Sequence, residues 1–491
     1  MNQPKVKRRY FSVAASMLVL AISFLLFWSA DWFVDTNGRI GFDAILFSLS
    51  AGVEGTSHSL IFNFILTAAL PAVLWTAGTG LVLFRFAKWL KRRHAVILSM
   101  LLSVVLLGYA SWNTEFDKFV LNGFRNSDLY ETYYADPTET TISFPEEKRN
   151  LVYIILESME TSYLSKSQGG AMRENLIPEL YDLAKENINF SHNEDVGGYY
   201  CTPGSTWTIG SMVSQTAGIP LKTPTEDVNK YGKDGTPFLP GVTTLANILE
   251  EAGYYQALMV GSDAAFGGRD SYYGQHGTDM IYDLFTARKD GIVEDDYFVW
   301  WGMEDLYLYE YAKQKLPEIA GQGQPFAFTL LTVDTHHVGG YRCALCQPSA
   351  TGERYDSAIS CASRQVTEFL AWLQQQDFYE NTTVIIVGDH ESMDKGYFDR
   401  VAPRDYQRMI YNCFLNTHAQ TDNTANRQFA AIDLFPTTLA ALGCEIEGDR
   451  LGLGTNLFSD TPTLIEELGL PKFEAQIAMA SDYYETHFYE E

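Results

Sequence analysis

Basic residues are in short supply: 35 Lys and Arg stand against 61 Asp and Glu in 491 residues, a formal charge of −26. A nucleic-acid partner is therefore excluded, because a phosphate backbone is bound by a cationic face that releases its counterions. Cysteine is scarce too, six in all, which excludes a small disulfide-stapled scaffold. Internal repeats and low-complexity tracts are missing, which removes repeat architectures. What is present is apolar. The chain is 46% hydrophobic and 14% aromatic, so it folds around a sizeable core and is neither disordered nor collagen-like. Its length exceeds the ~150 residues of one ordinary domain.

The charge is unevenly spread. Residues 1–112 carry 10 Lys and Arg and 4 Asp and Glu, whereas residues 113–491 carry 25 and 57. Between Arg9 and Asp31 lie 21 residues without a charge, YFSVAASMLVLAISFLLFWSA, about the ~20 that a helix needs to cross a hydrocarbon core. This run is too long for a signal peptide and ends in Phe27-Trp28 rather than an Ala-x-Ala cleavage motif. A second charge-free run lies between Glu54 and Arg85, with Pro71 as a kink, and a third spans Ala95 to Trp112. Three transmembrane helices are expected. Lys5, Lys7, Arg8 and Arg9, and then Arg85, Lys88, Lys91, Arg92 and Arg93, flank the runs on one side, whereas the first loop holds Asp31, Asp35, Asp43 and Glu54. Positive loops stay in the cytoplasm, so everything after Trp112 is expected outside it, in a periplasmic or extracellular compartment.

Past a polar linker at 113–149, short apolar runs alternate with helical patterns. LVYIIL (151–156), YYQALMV (254–260), FAFTLLTV (326–333) and TTVIIV (382–387) are continuous, as in strands covered on both faces. Leu245, Ile248, Leu249 and Ala252, and Val366, Phe369, Leu370 and Leu373, stand at helical spacing between them. The expectation is a layered α/β domain with a mostly parallel sheet over 150–470, and a loosely packed acidic tail over 471–491.

Ligands of such sheets sit beyond the carboxyl ends of the strands, and the residues there are chemical. LVYIIL is followed by Glu157-Ser158, FAFTLLTV by Asp334-Thr335-His336-His337, and TTVIIV by Gly388-Asp389-His390-Glu391. Carboxylates and imidazoles of this kind hold divalent cations; singly, each is as well explained as a helix cap or a satisfied polar group. A fourth stretch, GGYYCTPGSTWTIGSMVSQTAGIP (197–220), places Gly and Pro before a cluster of hydroxyls and an apolar run. A Ser or Thr at a helix N-terminus suits a nucleophile, since the exposed N–H groups bind phosphate, although the same residue types are ordinary N-caps. Cys201, Thr202, Ser205 and Thr206 all compete for the role.

Taken together, LVYIILESME, the Pro-Gly-Ser-Thr-Trp-Thr-Ile segment ending in Gly218-Ile219-Pro220, TVDTHH, VGDHESM and DLFPTTLAALG followed by GLGTNLF closely resemble the membrane phosphoglycerol transferases of the sulfatase-like, alkaline-phosphatase superfamily. The resemblance covers roughly 120–460 and includes the membrane anchor. It is nearest to members that decorate periplasmic glucans and next nearest to lipoteichoic acid synthases. It implies an alkaline-phosphatase-like fold and transfer of glycerol phosphate from phosphatidylglycerol to a glucan or other envelope polymer, through a covalent Ser or Thr intermediate. It implies one divalent cation, commonly Mn²⁺, held by Glu157, the nucleophile, Asp389 and His390. The family's spacing to Gly-Ile-Pro, counted back from Gly218, places the nucleophile at Ser205, with Thr206 and Thr202 as alternatives. His336 is implied as general acid or base, and Arg269, His336 and His337 as phosphate-facing residues. The family's Trp beside that Arg is Gly267 here.

Cys201 with Pro203 resembles the Cys-x-Pro-x-Arg of formylglycine sulfatases, but position 205 is Ser rather than Arg, so that signature is broken. Cys343-Ala-Leu-Cys346 has the form of half a zinc knuckle, yet only a lone Cys361 follows. A disulfide is the expectation in an oxidising compartment, and the family resemblance is consistent with Cys361 pairing to Cys343 or Cys346. The rival functions are a phosphoethanolamine transferase or a hydrolase on the same fold, and, from another class, a non-catalytic envelope scaffold. Retention of Glu157, Asp389 and His390 together argues against the scaffold.

Overall fold

The computed structural model describes residues 3–51, 58–86, 91–222 and 236–489. Glu54 and Lys88, used above to orient the chain, lie outside them. The chain divides into two units: Met1–Phe42 with Thr56–Leu121, and Asp43–Gly55 with Asn122–Glu491.

In the first unit three segments, Val13–Asn37, Leu60–Leu83 and Arg92–Asn113, are long and apolar enough to cross a membrane. They touch through a narrow seam of Leu20, Phe24, Ala72 and Leu106, while Leu18, Val73, Val104 and Val105 point outward. Apolar side chains exposed along a helix are costly in water and at no disadvantage in lipid. The kink expected at Pro71 takes a particular form. Within the continuous helix a π-helical turn, Ile65–Ala69, directly precedes Leu70-Pro71, the local rearrangement of backbone hydrogen bonds by which a helix accommodates an interior proline.

The second unit is built on a seven-stranded sheet. In chain order its strands are β1 (Asn150–Leu156), β2 (Gly198–Tyr199), β3 (Tyr255–Val260), β4 (Met280–Tyr282), β5 (Phe326–Leu331), β6 (Thr382–Gly388) and β7 (Ile410–Leu415). Their spatial order is β2-β7-β6-β1-β5-β3-β4. Strands β6, β1, β5, β3 and β4 run parallel, and β7 and β2 add an antiparallel edge. Burial of β1 and β6 along their whole length explains their unbroken apolar sequences. One face is covered by α2 (Asp305–Ala320) and α3 (Arg354–Leu373), whose Leu308, Ala312, Leu316, Phe369 and Leu373 join Val152, Ile154 and Val384 in one core. On the other face β1 meets α1 (Thr208–Ala217), where the Tyr153 hydroxyl donates to Gln215 Oε1 at 3.0 Å; α1 in turn packs on α4 (Leu434–Ala441).

Two expectations are corrected. Residues 113–149 hold the helices Phe116–Gly123 and Leu129–Tyr133 and a strand paired with Glu445–Ile446, so they are not a bare linker. Residues 471–491 are no loose tail: helices Leu470–Ile477 and Asp482–Phe488 bury Phe473, Ile477, Tyr484 and Phe488. Tyr130, from the former linker, stacks edge-on against Tyr484 and Phe488 at 5.6 and 5.8 Å. Aromatic burial of this kind outweighs the segment's acidic composition.

Candidate active site

Every chemical group of the site leaves the sheet at a carboxyl end. Glu157 follows β1 directly and is buried. Ser158 then turns the chain with φ +52° and donates its N–H to Asp389 Oδ1 at 2.7 Å. Asp389 and His390 follow β6, the neighbour of β1 in the sheet. Parallel pairing in register therefore sets Glu157 beside Asp389-His390. His390 Nε2 lies 3.2 Å from Asp389 Oδ2 and 3.7 Å from Glu157 Oε1. Its Nδ1 faces the Glu391 carbonyl at 2.8 Å, which fixes Nδ1 as the protonated nitrogen and leaves the Nε2 lone pair for the cluster.

The hydroxyl that the fold brings to this cluster is that of Thr208, the first residue of α1. Its Oγ1 lies 3.4 Å from Glu157 Oε2 and 3.4 Å from His390 Nε2. The preceding residue, Trp207, is extended and makes no side-chain cap, so the first N–H groups of α1 stay open to an anion. Ser205, the hydroxyl chosen by spacing, is placed elsewhere: it is buried, and its Oγ donates to the Thr202 carbonyl at 2.8 Å. A tight turn consumes it, with Ser205 N–H also donating to Thr202 O at 3.0 Å and Gly204 at φ +82°. Thr202 Oγ1 faces Ser205 Oγ at 3.4 Å, inside the same turn.

The residues fit a divalent cation. Glu157, Asp389 and His390 each offer a ligand atom within 4.8 Å of the others, and Asp389 Oδ2 is buried with no hydrogen-bond partner. Burial, and next the charge of Glu157, push the Asp389 carboxyl up to about 7. Burial works against protonation of His390, but Asp389 and Glu157 outweigh it and raise its pKa. Crowded carboxylates and an imidazole lone pair of this kind are relieved by a metal ion.

Thr208 and Glu157 open into a cavity of about 220 Å³, also lined by Arg269, Arg288, Trp301 and His336. Arg269 is buried, and its Nη2 donates to Ser262 Oγ at 3.0 Å and to the Asp263 carbonyl at 2.8 Å. Among the described residues its Nε has no partner, and neither does the buried Nε of Arg288. Burial lowers the Arg269 pKa to about 10, which leaves it cationic at neutral pH. His336 packs against Trp301 at 4.3 Å, and its Nδ1 faces the His337 carbonyl at 2.7 Å. Burial, and next the neighbouring His390, lower the His336 pKa to about 4. His337 stacks behind His336 at 4.6 Å and does not line the cavity. Phe285 and Phe298, both about half exposed, form an apolar rim. Phe47 also belongs to this unit and packs on Trp207 at 5.6 Å. Sequence reading missed Thr208, Arg288 and this aromatic rim; Arg288 reads as an ordinary cation in the last turn of the helix Leu284–Lys289.

Comparison with known proteins agrees with this architecture. The chain is 28% identical over 464 residues to phosphoglycerol transferase I of Xanthomonas axonopodis pv. citri, covering 89% of this chain and 61% of that protein. It is 28% identical to phosphoglycerol transferase I of Salmonella choleraesuis over 97% of this chain and 60% of that protein. The chain thus spans about three fifths of the length of these relatives. Among solved structures, the lipooligosaccharide phosphoethanolamine transferase EptA of Neisseria meningitidis superposes with a TM-score of 0.50 at 14% identity, over 87% of this chain and 83% of that one. This likeness speaks to fold alone. The model of the sulfatase family matches residues 149–444, more than half of the sequence, including all seven strands of the central sheet together with Glu157, Thr208, Arg269, His336, Asp389 and His390, and the chain belongs to that family.

Proposed function

We propose that this protein is a membrane-anchored, metal-dependent transferase that moves glycerol phosphate from phosphatidylglycerol to a glucan or other envelope polymer, through a covalent intermediate on Thr208. The observation that carries this reading is the Thr208 hydroxyl, held 3.4 Å from both Glu157 and His390 at an open helix N-terminus. The three apolar segments anchor the enzyme, with the second unit outside the cytoplasm, so that a lipid donor is met at high effective concentration. The names of the relatives and the resemblance of the motifs support glycerol phosphate as the transferred group.

Glu157, Asp389 and His390 would hold the cation, Mn²⁺ by family resemblance, whose positive charge would lower the pKa of the Thr208 hydroxyl at neutral pH. Thr208 Oγ1 attacks phosphorus, the P–O bond to diacylglycerol breaks, and the proton that Thr208 gives up goes to the departing diacylglycerol oxygen. An acceptor hydroxyl then attacks the phosphothreonine, the bond from phosphorus to Oγ1 breaks, and the acceptor's proton returns by way of His336 to Oγ1, restoring the Thr208 hydroxyl. Arg269 and Arg288 offset phosphate charge, and the N–H groups at the start of α1 take up a phosphate oxygen. His336, neutral near pH 7, takes the proton of the acceptor hydroxyl. Phe285 and Phe298 receive the apolar part of the donor.

Arg269→Gln should lower kcat/KM by roughly 10²–10³, the effect of removing one preorganised donor from a developing charge, assayed well below its melting temperature because the buried hydrogen bonds to Ser262 and Asp263 are lost with it. Steady-state assays at fixed lipid surface concentration check this. His336→Gln should cost on the order of 10²-fold in kcat. Because the His336 pKa is lowered to about 4, its neutral form persists across pH 5–8, and the acid limb that it controls lies near pH 4 rather than 6.5. An acid limb at 6.5 that survives in His336→Gln would assign that limb to another group.

The function is tested by diacylglycerol release from vesicles by the detergent-purified protein, with Mn²⁺ or EDTA. Metal-dependent release from phosphatidylglycerol is expected. Release from phosphatidylethanolamine alone would keep the chemistry and overturn the donor, and release from neither would overturn the transferase.

A further inference from the structure

A second cluster of metal-ligating side chains is separate from Glu157, Asp389 and His390, and the transfer chemistry does not use it. None of the six cysteines is disulfide-bonded, contrary to the pairing expected for Cys361. Instead Cys343 Sγ stands 3.6 Å from Cys346 Sγ and 3.7 Å from Cys361 Sγ. Thiolates bound to tetrahedral zinc at about 2.3 Å stand about 3.8 Å apart along each edge, so this spacing is that of a zinc–sulfur tetrahedron. Cys343 and Cys361 are buried, and Gln365 Nε2 reaches both sulfurs, at 3.8 and 3.6 Å.

Two carboxylates approach this cluster from the side of Cys343, in a second group of ligand atoms that shares Cys343 alone with the three sulfurs, so a carboxylate becomes the fourth ligand by swinging toward them. Glu304, Asp334 and Cys343 offer ligand atoms within 4.8 Å of one another. Asp334 is 2% exposed and neither of its carboxylate oxygens has a hydrogen-bond partner among the described residues; Glu304 Oε2 is likewise buried and without one there. The neighbouring acid does not share this condition, since Asp305 accepts from the N–H of Val333 at 2.7 Å and of Asp334 at 3.3 Å. A buried carboxylate left without donors or a cation is strongly disfavoured. These oxygens therefore point to a ligand.

We propose that Cys343, Cys346 and Cys361, with a carboxylate of the Glu304–Asp334 pair, form a structural zinc site. The site joins three elements: the loop after β5, the start of α2 at Glu304 and the body of α3 at Cys361. Asp334 precedes His336 by two residues, so the ion holds the loop that presents this imidazole to the cavity. The three thiols bind as thiolates and release their protons to solvent, with no change of oxidation state.

The test uses the full-length, detergent-purified protein saturated with Mn²⁺, with zinc counted by elemental mass spectrometry and free thiols by alkylation. Wild type and Asp389→Ala should each hold about one zinc per chain, which separates this site from the catalytic cluster and from any failure of the proposed transfer. Cys361→Ser should retain less than a tenth of it, and of Glu304→Gln and Asp334→Asn the one that removes the fourth ligand should weaken zinc retention against a competing chelator by roughly 10- to 100-fold. Should Cys361→Ser not fold, Cys346→Ser, at the half-buried position, and a thiolate-to-cobalt band in Co²⁺-loaded wild type supply the same reading. Zinc content equal in wild type and the cysteine variants, or two of the three thiols already joined in protein that holds no zinc, would overturn the proposal.

Discussion

Thr208→Ala should abolish release of diacylglycerol from phosphatidylglycerol, by a factor on the order of 10³ or more, because removal of a covalent nucleophile leaves only binding and electrostatic catalysis. Folding should survive, since among the described residues the Thr208 hydroxyl has hydrogen-bond contacts only with Glu157 and His390, at 3.4 Å, and Ala is a good helix former at the first position of α1. Thr208→Ser should keep measurable activity, because the attacking oxygen remains. Ser205→Ala should behave differently. It removes a hydrogen bond to the Thr202 carbonyl at a cost of about 1 kcal/mol in stability, with catalysis largely preserved. Paired assays of these three variants separate the two hydroxyls: inactivity of Ser205→Ala with full activity of Thr208→Ala would return the role to the spacing-based choice.

The largest expected effect on stability comes from Arg408. Its guanidinium grips the fully buried carboxylate of Glu160 with two nitrogens, Nε at 2.8 Å and Nη2 as well, and Nη2 also donates to the Ser392 carbonyl at 2.7 Å. Glu160 Oε1 in turn accepts the Ser392 N–H at 2.7 Å. Ser392 lies two residues after His390, so this pair holds the loop that carries the Asp389-His390 ligands. Arg408→Ala strands a carboxylate in the interior and should cost about 3–5 kcal/mol, read as a drop in the denaturant midpoint, with weaker metal retention as a consequence. Glu160→Gln with Arg408→Met, which removes both charges, should recover much of the loss, because a buried ion pair costs nearly as much in desolvation as it returns. An Arg408→Ala protein as stable as wild type would contradict the structural role given to this pair.

Much of the sheet was legible because its central strands are buried on both faces. LVYIIL, FAFTLL and TTVIIV are unbroken apolar runs for that reason, and the acids and imidazoles after them stood out by contrast. Strand β7 escaped notice because Asn412 interrupts it. That side chain is buried and exchanges hydrogen bonds with the Phe190 backbone at 3.0 and 2.8 Å, a pairing between segments more than 200 residues apart. The closing helices were illegible for a similar reason: their acidic composition hides an aromatic cluster completed by Tyr130. Thr208 was missed because the start of α1 carries Trp207 rather than a Ser, Thr, Asp or Asn at the capping position. The family spacing counted back from Gly218 drew the assignment to Ser205 instead, whereas the positive φ of Gly204 folds Ser205 back onto Thr202. The thiol cluster was read as a disulfide because only a structure shows three sulfurs converging with both oxygens of Asp334 and Oε2 of Glu304 nearby and without hydrogen-bond partners among the described residues.

The central claim is that Thr208 carries the transferred group. It is tested most directly by incubating the full-length protein with phosphatidylglycerol vesicles and Mn²⁺ without acceptor, quenching in acid, and locating the adduct by peptide mass spectrometry. A phosphoglyceryl group on Thr208, absent in EDTA and absent in Asp389→Ala, is the predicted result. The same adduct on Ser205 or Thr206, or steady turnover with no adduct on the 201–217 segment, would contradict the account.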